Sequence, residues 1–386
     1  MKPLALLAGA AAILAALAIT LNRPKPAAPA PDRTLPGFRP DAVAAIRVTG
    51  PDGSTEIRRG ADSWTVAGRD GVPADTQKIS RFLQSAWESR PVQSVPVGAA
   101  QLGRLQLAAP GSGAPPDQIG LVVEFFGESD APLAKLTLGK RRTAEGEMGM
   151  PGMSIGRYVL ADSSPATAFL VTETFDEAAP VPAPWLDKSF LTIPEVTSIE
   201  RKSADPALVW TINRRDGGWV PADAKPGEVL QPARISGAAA AWQTPTFEDI
   251  GTTGETVDPD GAVTLTGVDG VARTIRRGAE SNGRVPVTIE SAVVLPPSRT
   301  VTPGESPEDA KRLDEEYAGK LQAAAAARDA AGKFSGRVYL VPSHLANALF
   351  LTRTDLFPPP PEPSPTPTLS PTPTPTPAKK KKVKKK

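Results

Sequence analysis

Two stretches of similar sequence decide the fold: AAIRVTGPDGSTEIRRGADSWTVAGRDGVPAD at residues 44–75, and TSIERKSADPALVWTINRRDGGWVPAD at residues 197–223. Each holds strand-like runs, then a tryptophan, then a Pro-Ala-Asp triplet. Self-similarity at a long, nearly constant offset indicates an internal duplication. The sequence therefore predicts two tandem units, at 42–190 and 191–357. The aligned positions are Ile46 with Ile199, Trp64 with Trp219, Ile79 with Ile235, and Trp87 with Trp242.

Each unit is predicted to begin with two strands and a helix. In the first unit, four apolar residues recur at i, i+3, i+4 and i+7, which predicts a helix with one buried face. Asp75 is placed to cap its start. The paired tryptophans are interpreted as core residues, with ligand stacking as the alternative. The apolar stripe consists of Ile79, Phe82, Leu83 and Ala86.

The second half of each unit is predicted to be hairpins, a further strand and a short apolar helix. LVVEFFG and LAKLTLGK correspond to AVTLTG and ARTIRRG, and GRYVLAD corresponds to GRVYLVP. The closing helices are predicted at ATAFLVTETF and HLANALFLTRTDLF. The order ββ-α-ββ-β-α is mainly antiparallel, so the predicted class is α+β.

The first 22 residues are predicted to anchor the chain in a membrane. From Leu4 to Leu21 there is no charged residue, and a helix of that length spans about 27 Å, close to the hydrocarbon core. A removed signal peptide is the alternative, although no cleavage site is clear. A Pro/Ala-rich spacer is predicted at 23–41. We expect a single-pass membrane protein with the bulk of the chain on the far side of the membrane.

The carboxyl-terminal segment, 358–386, is predicted to be a disordered Pro/Thr-rich tail with a lysine tip. Such a tip attracts anionic lipid or an anionic envelope polymer; a merely solubilising tail is the alternative. The lysines of the predicted anionic-surface site are Lys379, Lys380, Lys381, Lys382, Lys384, Lys385 and Lys386.

Composition argues against most catalytic chemistries. The chain has no cysteine and one histidine, His344, so thiol catalysis and histidine-rich metal sites have no basis. Subtracting the seven tip lysines from the formal net charge of +2 leaves −5 on the rest of the chain. A basic footprint for nucleic acid is therefore missing from the body. We expect no enzymatic activity, no cofactor and no specific nucleic-acid partner.

Three methionines in EMGMPGM form the one metal hypothesis. Thioethers suit Cu(I), so Met148, Met150 and Met153 are candidate ligands. The alternative is a hairpin tip, since glycine and proline between the methionines mark a turn.

An inserted helix is predicted at about 306–331 in the second unit. Ser306 is its N-cap, followed by Pro307. Two uses of its thin apolar stripe remain open: packing on its own domain, or docking a partner. The stripe consists of Leu313, Tyr317 and Leu321.

The order of these pieces resembles the domain-of-unknown-function 4340 family of membrane-anchored bacterial proteins. The pieces that carry the resemblance are SWTVAGRDGVPADTQKISRFLQSAW, QLGRLQLAAP, LAKLTLGK, GRYVLAD, WLDKSFLTIPEVTSIER and GWVPAD. The resemblance implies no catalytic residues and an accessory role beside ABC-type transport systems. It also implies a place in the bacterial inner membrane, with the bulk of the chain in the periplasm. The expected function is a binding or scaffold platform for transporter subunits. The alternative is an exported ligand- or polymer-binding protein tethered by its lysine tip.

Overall fold

The first repeat of the chain is an eight-stranded sheet. A computed structural model describes residues 31–358 apart from 62, 70, 144–153, 252–255 and 259–260. Its strands in this repeat are β1 (Ala45–Gly50), β2 (Gly53–Arg59), β3 (Trp64–Val66), β4 (Gln93–Pro96), β5 (Leu121–Phe126), β6 (Pro132–Thr143), β7 (Ser154–Ala161) and β8 (Thr167–Val171). The helices are α1 (Thr76–Glu88) and α2 (Ala99–Leu102). The sheet order is β3-β2-β1-β5-β6-β7-β8-β4.

The second repeat has the same architecture. Its strands are β9 (Val196–Lys202), β10 (Trp210–Arg215), β11 (Gly218–Pro221), β12 (Asp249–Ile250), β13 (Ala262–Gly267), β14 (Val271–Arg277), β15 (Arg284–Val293) and β16 (Tyr339–Pro342). Its helices are α3 (Pro232–Ala241), α4 (Pro307–Gly332), α5 (Ser343–Leu349) and α6 (Arg353–Leu356). The order β11-β10-β9-β13-β14-β15-β16-β12 repeats that of the first sheet strand for strand. Two antiparallel sheets with a few helices confirm the α+β class.

Residue pairing within the sheets confirms the duplication. Ile46 lies between β2 and β5, and Ile199 occupies the same place between β10 and β13. Trp64 lies opposite Arg59 and Trp219 lies opposite Arg214, each arginine over the indole ring. The alignment of these two pairs is therefore correct in three dimensions.

The predicted helix α1 is confirmed with its cap. Asp75 accepts a hydrogen bond from the backbone N–H of Lys78, and the four residues of the stripe are buried. The alignment of Trp87 with Trp242 is wrong by one residue. Trp242 takes the i+7 position of its own stripe, which Ala86 holds in α1, and is fully buried, whereas Trp87 is 38% exposed. One residue turns a side chain by about 100° around a helix.

Two further predictions for the second half of the repeats are wrong. ATAFLVTETF, predicted to be a helix, contains β8, whose backbone pairs with both β7 and β4. GRYVLAD and GRVYLVP are not equivalent in the sheets, because the first forms part of β7 and the second leads into β16. A short apolar run fits a buried strand or a helix equally well, and pairing from both sides decides here. The helix predicted at HLANALFLTRTDLF is confirmed only in part, because it forms two short helices, α5 and α6, with residues 350–352 non-helical between them.

The packed body begins before the predicted boundary at residue 42. Leu35 and Phe38 are buried in the core, and the ring of Phe38 lies 4.8 Å from that of Phe125. The backbone N–H of Thr34 donates to the carbonyl of Ser89. The end of the predicted spacer is therefore part of the first repeat.

One continuous hydrophobic core joins the repeats. Trp185, Trp210 and Trp242 are fully buried within it. Each indole N–H donates to a backbone carbonyl, so the rings are buried without losing a hydrogen bond. The hydrogen bonds from Trp210 and Trp242 reach Leu351 and Leu345, so these two rings hold the carboxyl-terminal segment against the second repeat.

The last helix is fixed by a buried arginine. Arg353 on α6 donates two hydrogen bonds to Glu228, at 2.7 and 2.6 Å, and one to Asp223 at 2.9 Å. The hydrogen bond from Arg353 lowers the pKa of Glu228 from its ordinary 4.5 to about 2. This cluster closes the carboxyl-terminal end of the described body.

Within residues 31–358, leaving out the gaps, no helix has both the length and the apolar character needed to cross a membrane. The predicted anchor at 1–22 and the tail from residue 359 lie outside the described residues.

Candidate functional site

The residues predicted from sequence fall into two groups. Met148, Met150 and Met153 lie outside the described residues, as do the seven tip lysines. His344 is described and is exposed at the start of α5. Among the described residues, no three histidine or carboxylate side chains are grouped so that they could hold a metal ion.

The inserted helix α4 is the largest element that the first repeat lacks. Ser306 caps it by accepting from the backbone N–H of Asp309 at 3.1 Å, with Pro307 as the first residue, as predicted. The helix ends at Gly332, one residue after the predicted end. The helix has 26 residues and packs mainly against β15.

The apolar stripe of α4 lies on the side of its own repeat. Leu313, Tyr317 and Leu321 are half-buried, and the stripe continues to Ala324 and Ala331, which are buried. The Tyr317 hydroxyl donates to the carbonyl of Pro296 at 2.9 Å. Of the two uses that the sequence left open for this stripe, the structure therefore shows packing on its own domain.

A single arginine fastens the start of α4. Arg299 donates to Asp314 at 2.6 Å, to Glu305 at 2.8 Å and to the carbonyl of Ala310 at 3.2 Å. The hydrogen bond from Arg299 also lowers the pKa of Glu305 from its ordinary 4.5 to about 2. These contacts fix the first two turns of α4 relative to the segment that follows β15.

The opposite face of α4 is charged and exposed. Arg312 pairs with Glu316 at 2.8 Å and with Asp309 at 3.2 Å along the helix. Such pairs steady a solvent-exposed helix. Further exposed charges on α4 are Glu308, Lys311, Glu315, Lys320, Arg328 and Asp329.

A mostly buried ion pair, called the seam below, joins the two repeats. Arg69, after β3, makes two hydrogen bonds to Asp249 on β12, at 2.8 and 2.9 Å. Both side chains are mostly buried, at 15% and 13% exposure. The backbone N–H of Asp75, the cap of α1, donates to the carbonyl of Trp185 in the connecting segment. A charge-assisted pair shielded from water resists separation more than a surface pair does.

Residues 64–260 match the family described as Domain of unknown function (DUF4340). The match covers more than half of the chain. The chain belongs to the DUF4340 family. Within this DUF4340 protein the matched segment starts at Trp64 on β3 and ends shortly before β13, so it contains both sides of the seam. No curated protein and no solved structure gives a match to the chain.

Sequence reasoning missed the seam and the Arg299 contacts. Arg69 and Asp249 are far apart in the chain, and no periodicity links them. Arg299 could have been noticed as a basic residue shortly before an acidic helix start, since Glu305 and Asp309 follow it.

Proposed function

We propose that this DUF4340 protein is a non-enzymatic platform accessory to an ABC-type transport system. Residues 1–22 hold it at the bacterial inner membrane, and its body lies in the periplasm. The uncharged run from Leu4 to Leu21 supports the anchor. The body serves as a rigid mount for a surface that contacts membrane subunits of the transporter.

The observation that carries the proposal is the addition of α4 to a repeat that is complete without it. In the first repeat, residues 162–166 join β7 to β8. At the same place in the second repeat, residues 294–338 join β15 to β16. The sheet order is the same in both repeats, so the strand topology does not depend on α4.

The way α4 is held supports a role in binding. Its apolar stripe is used for attachment and Arg299 fixes its start, which leaves the charged face open to a partner. A surface held in place before binding loses little conformational entropy when the partner arrives. Interspersed positive and negative charges on such a surface favour one partner and one register over others.

Replacing residues 294–333 with the loop of residues 162–166 tests this proposal. The variant keeps Phe334, whose ring packs on Phe190 and Tyr339. Full-length and variant proteins are purified by affinity from mildly solubilised membranes, and their partners are identified by mass spectrometry. We expect transporter subunits with the full chain and their loss with the variant. Equal recovery with both would refute the role of α4.

A second candidate function rests on the lysine tip. Lys379–Lys386 contains seven lysines after a Pro/Thr-rich run, and each lysine near an anionic lipid surface contributes about 1 kcal/mol. Under this proposal the tip holds the protein to anionic lipid or an envelope polymer. Deleting Lys379–Lys386 should then reduce retention on anionic vesicles while leaving co-purification of transporter subunits unchanged. Unchanged retention would exclude the tether.

A further inference from the structure

The inner faces of the two sheets differ at one end. In the first repeat this end is filled by aliphatic side chains: Val48 on β1 and Leu138 on β6 are fully buried, and Leu121 on β5 packs against the core. Leu121 lies opposite Leu138 in the pairing of β5 with β6. The inner face at this end of the first sheet is therefore filled with apolar side chains.

The second repeat carries different residues at the same positions. Arg201 lies opposite Val263 on β13, as Val48 lies opposite Val123 on β5. Arg277 lies opposite Val287 on β15, the place that Leu138 holds relative to β7. Continuing the register of β13 by one residue puts Gly261 where Leu121 stands. Two arginines and a glycine thus replace three aliphatic residues.

This exchange opens a cavity of about 590 Å³. Its lining includes both arginines, Ser203, Leu208, Asp258 and Phe350. Residue 261 contributes no side chain to this space, where a Cβ would lie 3.1 Å from the Asp258 carboxylate. The size lies within the range of ordinary small-molecule sites.

Both guanidinium groups are positioned from the same side. Arg201 donates through Nη1 to the carbonyls of Phe350 and Leu351, and Arg277 donates through Nη1 to Asn347 at 3.1 Å. Their guanidinium carbons lie 6.0 and 5.3 Å from the centre of the Phe350 ring. Both guanidinium groups therefore lie near the same aromatic ring, that of Phe350.

The remaining nitrogens of these arginines are not used. Among the described residues, none accepts a hydrogen bond from Nε or Nη2 of Arg201 or Arg277, and neither arginine forms an ion pair. Burial lowers the pKa of Arg201, and the neighbouring positive charge of Arg277 lowers it further. Asp355 and Asp205 act on Arg201 in the opposite sense.

A third inward arginine of this repeat shows the contrast. Arg273 replaces Ala134 of the first repeat, and its guanidinium pairs with Asp269 through two hydrogen bonds of 2.8 and 2.6 Å. Arg157, buried in the first repeat, donates to the backbone carbonyls of Gly139 and Thr174. Arg201 and Arg277 differ from these arginines because both line the same cavity.

We propose that the second repeat binds a small organic anion in this cavity, with its carboxylate or phosphate group between Arg201 and Arg277 and its apolar part against Phe350 and Leu208. Guanidinium groups match the oxygens of carboxylate and phosphate in geometry and charge. Both arginines are half-buried, and an anion between them would offset the repulsion between their positive charges. The site is separate from α4 and does not depend on the proposed transporter partner.

Calorimetric titration of the full chain in mild detergent tests the site with three probes. Phenylacetate and phenyl phosphate carry the two oxyanions, and 2-phenylethanol is the neutral control. We expect at least one anion to bind and the alcohol to bind at least tenfold more weakly. The preferred anion identifies the headgroup. Absence of binding by both anions at 10 mM, or equal binding of the alcohol, would overturn the proposal.

Variants copied from the first repeat locate the binding. Arg277→Leu introduces the leucine that the first repeat has at the equivalent position, 138, and should weaken anion binding at least tenfold. Gly261→Leu places at residue 261 the leucine that the first repeat has at 121, keeps both arginines, and should abolish binding by adding an apolar side chain to the cavity wall beside the Asp258 carboxylate. Arg276→Gln changes the neighbouring strand position, which points to the other face, and should bind as the wild type does. Circular dichroism confirms that each variant is folded. Wild-type affinity in folded Gly261→Leu would contradict the site.

Discussion

Replacing Arg69 with methionine and Asp249 with leucine, singly and together, measures how strongly the seam couples the two repeats. The pair makes two charge-assisted hydrogen bonds of 2.8 and 2.9 Å between side chains exposed by 15% and 13%. Removing one partner takes both charge-assisted hydrogen bonds away from a mostly buried charge, so each single change should lower the free energy of unfolding by about 2–3 kcal/mol. The double-mutant cycle should give a coupling energy of about 2 kcal/mol.

Urea unfolding followed by tryptophan fluorescence is the assay, because buried tryptophans lie in both repeats and between them. A matched control is the pair Arg214–Glu195 within the second repeat, at 2.7 Å but with 37% and 55% exposure. Its coupling energy should stay below about 1 kcal/mol, as for surface pairs. If the coupling energy of Arg69 and Asp249 is no larger than that of the control pair, the ion pair does not couple the two repeats.

The remaining predictions concern acid stability, the core and the inserted helix. Because the pKa of Glu228 is lowered to about 2 by Arg353, its stabilising effect is complete above pH 4.5 and is lost as the pH falls towards 2. The difference in urea midpoint between wild type and Glu228→Gln should therefore shrink between about pH 5 and about pH 2.5; a constant difference would contradict the pairing. Trp242→Ala should cost about 3–5 kcal/mol in urea unfolding, and Trp87→Ala about 1 kcal/mol or less because its side chain is 38% exposed and its ring lies under Arg33; equal costs would contradict their different burial. Replacing 294–333 with the 162–166 loop should leave the near-ultraviolet circular dichroism of the core unchanged, and its loss would show that the second sheet needs α4.

Features set by neighbouring residues could be predicted from the sequence. The cap and buried face of α1 follow from Asp75 and the spacing of Ile79 and Phe82, and α4 follows from Ser306 and Pro307. Each depends on a few adjacent side chains and the helical repeat. The duplication was also predictable, because both copies keep the same order of strands, tryptophan and helix.

Features set by contacts between distant residues could not be predicted in the same way. The strand β8 is stabilised by pairing on both sides, which a single apolar run does not reveal. Trp87 and Trp242 differ by one position along their helices, and sequence similarity alone does not resolve a shift that small. This shift of one residue decides whether the tryptophan lies on the buried or the exposed face of its helix.

The arginine cavity shows a signal that a repeat comparison can use. Inward positions that are aliphatic in the first copy carry Arg201 and Arg277 in the second. Finding these positions requires the strand register, because the two copies have little identity there. The pair Arg69–Asp249 has no such signal. It joins one repeat to the other, so a comparison of the two repeats does not reveal it.

The proposed platform function is tested most directly by affinity purification of the full chain from detergent-solubilised membranes, with mass spectrometry of the bound proteins. The account predicts recovery of membrane-embedded and ATP-hydrolysing subunits of one ABC-type transport system, and their loss when residues 294–333 are replaced by the 162–166 loop. Recovery of no transporter subunit across several mild detergents would contradict it.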